Sequence, residues 1–143
     1  MAHFACAVIY REKRREGEYE ILVQTYTPQS RQKREPQEKF PGGMQREGET
    51  PFKAMKREVR EETGLIIERA QEVCRHQNRV GFLVDIGDCV GILRTKPIRD
   101  GNTDLSTPRW VNVVVLKRGG LFPSHHEIFL AALRELNLLH PRS

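Results

Sequence analysis

A chain of 143 residues has the length of one domain and leaves little room for two independent cores. With 38% hydrophobic and 30% charged residues it is polar, yet its apolar residues gather in short runs, which favours a folded chain over a disordered one. The 24 Lys and Arg against 19 Asp and Glu leave +5, which suits an anionic partner without marking a nucleic-acid binder. The apolar run at 4–10 is too short to span a bilayer and lacks a signal-peptide pattern, so no membrane partner is expected. Cys6, Cys74 and Cys89 are odd in number and form no C-x-x-C pair. They read as small buried residues in a chain of the reducing cytoplasm, with neither a disulfide framework nor structural zinc.

Residues 4–10 and 19–24 are β-prone and read as strands joined by a charged connection at 11–18. Residues 26–39, with two prolines and almost nothing apolar, predict a long surface loop. Phe40-Pro41-Gly42-Gly43 then permits a tight turn and a close approach to the main chain. Thr50 as N-cap, Pro51 at the first position and Gly64 as stop predict a helix over 51–63. Phe52, Met55 and Val59 form its packing stripe, and Glu58, Glu61 and Glu62 form an adjacent wet one. Further strands are expected at 65–67, 80–86, 89–95 and 109–116, with Gly87-Asp88 turning between the middle two. A last helix is expected from Ser124, with Glu127 in capping-box position and Ile128, Phe129, Ala132, Leu133, Leu136 and Leu139 at helical spacing. The sum is an α/β sandwich, a mixed sheet covered by helices, as one domain over 1–143.

The chemistry lies in residues 43–65. Three carboxylates at i, i+3 and i+4, Glu58, Glu61 and Glu62, would repel one another unless a cation sits among them. With oxygen donors only, and no His or Cys nearby, Mg²⁺ or Mn²⁺ is favoured over zinc. A hard cation that shares its coordination with substrate phosphates points to phosphoanhydride hydrolysis. The loop at 40–43 offers a backbone carbonyl as a further ligand. The segment itself is electrically neutral, and the positive excess lies on either side of it.

This segment resembles the Nudix box, G-x5-E-x7-R-E-U-x-E-E-x-G-U with U aliphatic. Gly43, Glu49, Arg57, Glu58, Val59, Glu61, Glu62, Gly64 and Leu65 fill every specified position. Background frequencies put such a match by chance on the order of 10⁻⁸. The resemblance implies a Nudix-type α/β/α sandwich with a catalytic loop-helix-loop. It implies metal ligation by Glu58 and Glu62, by Glu61 directly or through water, and by the Gly42 main-chain oxygen. Arg57 and Glu49 would be supports that hold a box carboxylate in orientation, and which glutamate acts as base varies across the family. Many members add an acidic residue beyond the box; here the candidates are Asp85, Asp88, Asp100, Asp104 and Glu127.

Substrate signatures of the family outside the box are absent. No proline stands at Val80 or Gly81, Phe82 lacks a tyrosine hydroxyl, and Gln32 and Pro36 interrupt the coenzyme A pattern that ends in Phe40-Pro41-Gly42-Gly43. The reading is a pyrophosphohydrolase acting on a nucleoside diphosphate linked to another group, such as a nucleoside triphosphate or related small nucleotide. A homodimer is compatible with it. The alternative is a catalytically weak nucleotide-sensing or RNA-associated module on the same fold. His125 and His126, early in the last helix, read as surface residues, and Trp110 as a core residue at the start of a strand. The basic stretches at 11–15 and 31–34, interleaved with glutamates, read as solvated loops.

Overall fold

The computed structural model describes residues 3–15, 17–28, 37–100 and 103–137. In chain order the strands are β1 (Phe4–Glu12), β2 (Tyr19–Pro28), β3 (Gln37–Lys39), β4 (Gly42–Met44), β5 (Ile66–Ile67), β6 (Gln71–His76), β7 (Arg79–Asp85), β8 (Cys89–Val90), β9 (Ile98–Asp100), β10 (Thr103–Leu105) and β11 (Arg109–Asn112). The helices are α1 (Pro51–Thr63), α2 (Val113–Lys117) and α3 (His126–Glu135).

β1 carries its apolar residues in an unbroken run because both of its faces are covered. Cys6 and Val8 enter one cluster with Ile128, Phe129, Ala132 and Leu133 of α3 and Val113 and Leu116 of α2. Ala5, Ala7 and Ile9 enter the opposite cluster with Ala54, Met55 and Val59 of α1. β2 divides in the same way, with Ile21 and Val23 on the α3 side and Leu22 on the α1 side. The result is a sheet between two helical layers, the α/β/α arrangement expected.

The main sheet runs β6-β7-β1-β2-β10-β9 and is mixed. β1 lies parallel to β7, with Phe4 opposite Arg79 and Tyr10 opposite Asp85, and antiparallel to β2. β11, β3 and β10 pair with successive lengths of β2. β4 pairs antiparallel with β1, setting Cys6 opposite Gly42.

Several sequence expectations are corrected. β2 continues to Pro28 and β3 pairs with it, so only 29–36 of the expected loop at 26–39 remains, and those residues lie outside the described ones. Residues 80–86 and 89–95 do not form a hairpin. A short 3-10 turn, Ile86–Asp88, leads to β8, which pairs with β5, and the strand stops at Val90. The expected strand at 109–116 ends at Asn112, whose side chain accepts the Val114 amide at 2.8 Å and starts α2. Ser124 does not cap the last helix: a 3-10 turn, Pro123–His125, precedes α3, with no side-chain cap bond. Leu139 lies outside the described residues. Trp110 packs partly buried against the α1-side cluster, and the Arg11 guanidinium lies 4.4 Å from its ring centroid.

Candidate active site

α1 begins and ends where its caps dictate. Thr50 Oγ1 accepts the Lys53 amide at 3.2 Å, Pro51 follows, and Gly64 closes the helix in the left-handed region at φ 85°. Met55 and Val59 anchor the helix in the core, and this fixes which way Glu58 and Glu62 point.

These two glutamates, one turn apart, both meet the Gly42-Gly43 segment of β4. The Gly42 amide donates to Glu62 Oε1 at 2.7 Å. A Cβ on Gly43 would collide with the Glu58 carboxyl group, so the bare Cα makes the space in which that carboxyl sits. A Cβ on Gly42 would strike the backbone of Ala5 and Cys6 in β1. The glycine pair therefore lets α1, β4 and β1 come together at one point.

Arg57 holds this corner of the helix. Its Nε and Nη2 donate to the two Glu49 oxygens at 2.8 and 2.9 Å, its Nη1 donates to Glu58 Oε1 at 2.7 Å, and Nη2 also reaches the Met44 carbonyl at 3.1 Å. Glu49 Oε1 takes the Arg46 amide as well. The Arg57 guanidinium, helped by that amide, draws the Glu49 carboxyl down to about 2, and Glu49 in turn raises the Arg57 pKa. Arg57 thus links Glu49 to the Glu58 carboxyl across the loop-to-helix turn.

The three box carboxylates do not share one wet face. Glu61 is 54% exposed in its side chain and stands 3.7 Å from Arg57, whereas Glu62 is buried. The cause is its place in the helix: at i+4 from Glu58 it faces β4 directly, whereas Glu61 lies on the flank. Burial pushes the Glu62 carboxyl above the ordinary range, against the pull of Lys39, whose Nζ lies 3.2 Å from Glu62 Oε2, and of the Gly42 amide. Among the described residues no three His, Cys, Asp or Glu side chains already stand grouped as a metal cage. What is present fits a hard divalent cation: oxygen donors only, and a Glu58 carboxyl in a space that a side chain at residue 43 would fill.

The downstream acids are placed as follows. Asp85, at the end of β7, takes the Tyr10 hydroxyl at 3.3 Å and the Gly87 amide at 2.9 Å, and Asp88 lies in the 3-10 turn after it. Glu127, in the first turn of α3, stands 3.9 Å from His76. Asp100 ends β9, and Asp104 lies in β10 opposite Thr27.

A feature missed in the sequence is His125. It is buried rather than on the surface: its ring stacks on Phe40 at 5.4 Å and 15°, and its Nδ1 accepts the Phe40 amide at 3.1 Å. The run Phe122-Pro123-Ser124-His125 turns the ring inward before α3 begins, whereas the sequence reading placed it on an exposed first turn. Phe4, Tyr26, Lys39, Phe122, Ser124 and His125 line a cavity of about 200 Å³. Lys39 thus faces both this aromatic cavity and Glu62.

Burial, with Lys39 and Arg79 adding to it, drives the His125 pKa from 6.5 down to about 3, so the ring is neutral. A depressed histidine stabilises the fold fully above pH 6.5, and that stability is lost as pH falls towards 3. Each pKa unit corresponds to about 1.4 kcal/mol. His125→Gln, which keeps an acceptor for the Phe40 amide, is expected to show a flatter fall in urea midpoint than wild type across this window. Parallel curves for the two proteins would contradict the assignment.

Many solved structures share the fold, among them three that align with most of this chain. The E. coli ORF135 protein aligns over 100% of this chain and 95% of its own, with 22% identity and a TM-score of 0.66. RenU, a Nudix hydrolase from M. smegmatis, aligns over 97% and 88%, with 19% identity and a TM-score of 0.65. A structure from work on MutT of Aliivibrio salmonicida and Vibrio cholerae aligns over 93% and 98%, with 16% identity and a TM-score of 0.63. No curated protein is matched by the sequence. The model of the family described as NUDIX domain matches residues 2–131. With its box complete and that box folded as loop, helix and loop on a mixed sheet, the chain belongs to the NUDIX family and is a hydrolase of phosphoanhydride bonds.

Proposed function

We propose that the chain is a divalent-metal-dependent pyrophosphohydrolase whose substrate is a nucleoside triphosphate or related small nucleotide, a nucleoside diphosphate linked to another group. The observation that carries this reading is the meeting of Glu58 and Glu62 on the Gly42-Gly43 strand, beside an aromatic-lined cavity reached across Lys39. Glu58, Glu61, Glu62 and the Gly42 carbonyl would hold Mg²⁺, with Mn²⁺ as a substitute. When bound, the ion neutralises diphosphate oxygens and acidifies water for attack on phosphorus. Arg57 keeps Glu58 oriented, and Glu49 keeps Arg57 fixed. A box carboxylate accepts the proton of the attacking water. Tyr26 and Phe122, partly exposed at this cavity, offer aromatic surface against which a base can stack.

No helix among the described residues is long and apolar enough to cross a membrane. The cysteines are free, which suits a reducing cytoplasm. The test is a panel of nucleoside triphosphates, dinucleotides and nucleotide sugars with Mg²⁺ or Mn²⁺, scored by chromatography for formation of the nucleoside monophosphate. Turnover of a nucleoside triphosphate is expected. A panel without any metal-dependent hydrolysis would leave the enzyme reading without support and favour a module that only binds nucleotides.

A further inference from the structure

Lys39, the last residue of β3, is an unusual neighbour for a carboxylate expected to bind metal. Its side chain is 13% exposed, that of Glu62 is 5% exposed, and Nζ lies 3.2 Å from Glu62 Oε2. The other oxygen, Oε1, is held by the Gly42 amide at 2.7 Å. Both oxygens therefore have partners of different kinds: a backbone N–H fixed by the β1–β4 pairing, and a charge on a flexible four-carbon stem. A carboxylate this deeply buried would be costly without a counter-charge, and the Lys39 ammonium supplies one. Arg57 differs, because Glu49 and the Met44 carbonyl pin its fork in place. Lys39 also lines the aromatic cavity, so open space adjoins its side chain.

We infer that Lys39 is the resident counter-cation of Glu62, and that a divalent ion must displace it from Oε2 in order to bind there. The inference rests on the reading of Glu62 as a metal ligand. An ammonium and a divalent ion on one oxygen repel strongly in a buried site, so either one excludes the other. Lys39 thereby keeps Glu62 paired before metal arrives and weakens the chain's affinity for the ion by the strength of the ion pair it gives up.

The probe is Mn²⁺ alone, with the free ion followed by electron paramagnetic resonance during titration of wild type, Lys39→Met and Lys39→Arg. Met keeps most of the stem and removes the charge. It is expected to bind Mn²⁺ at least about tenfold more tightly than wild type. Arg, which can grip a carboxylate with two bonds, is expected to bind Mn²⁺ no more tightly than wild type. Equal affinity in wild type and Lys39→Met would overturn the inference and leave the hydrolase reading intact. Absence of Mn²⁺ binding in all three would overturn both.

Should Lys39→Met fail to fold, wild type labelled at lysine ¹³Cε is titrated with Mg²⁺, the Lys39 signal being identified by its loss in Lys39→Arg. That signal is expected to shift saturably, in step with the Gly42 amide. A Gly42 amide that responds while Lys39 stays unmoved would overturn the inference.

Discussion

Glu58→Gln and Glu62→Gln are each expected to lower kcat by roughly 10² or more, through loss of ligation or of the proton acceptor. Glu58→Gln is the cleaner of the two. Glu58 is less buried than Glu62, Gln presents the same shape above Gly43, and Arg57 retains its paired bonds to Glu49, so the fold should be unaffected. Glu62→Gln removes the charge opposite Lys39 in a buried place, so its stability must be measured alongside its rate. Steady-state rates over a Mg²⁺ series provide the check. A higher Mg²⁺ requirement with restored kcat would identify the residue as a ligand rather than the base. Rates equal to wild type in both variants would overturn the site.

The largest expected effect on stability is at Phe40. Phe40→Ala should cost about 3–5 kcal/mol, the usual penalty for emptying a buried aromatic position. Phe40 is fully buried, stacks on His125, and lies 6.1 Å from the Phe129 ring of α3. Truncation would leave a void between the β3–β4 junction and Phe129 of α3 and leave His125 without its stacking partner. In a chain of this size, that lowers the thermal midpoint by roughly 10–17 °C. Chemical denaturation of both proteins measures it, and a loss below about 1 kcal/mol would show that the cavity collapses or that Phe40 is not a keystone.

How much of this could be read in advance depended on whether the signal was local. α1 could be read to its ends because Thr50, Pro51 and Gly64 act within a few residues of themselves. The box positions Arg57 and Glu49 were legible for the same reason: they lie eight residues apart and meet across one loop-to-helix turn. β6 was not legible. Gln71–His76 is mostly exposed and charged at the sheet edge, so it carries no apolar alternation and owes its existence to pairing with β7. Val113–Val115 misled because β-branched residues favour strands, yet one Asn112 side-chain bond diverts them into α2. The burial of Glu62, the inward turn of His125 and the partnership of Lys39 with Glu62 are all long-range. They depend on where β3 and β4 meet α1 and α3, which no window of sequence contains.

The parallel pairing of β1 with β7 also bears on how the molecule assembles. Residue 4 lies opposite residue 79, so the whole box must be enclosed within a loop before β1 gains its parallel neighbour. Closing so long a loop is entropically expensive, and non-local pairings of this kind are formed slowly compared with helices. α1 can form early from its own caps, but the strand that supplies Gly42 is placed only when β1 is in position. The Glu58–Glu62 pair therefore meets its glycine strand only once β4 has paired with β1, and a nascent or partly unfolded chain would have α1 without the strand it meets.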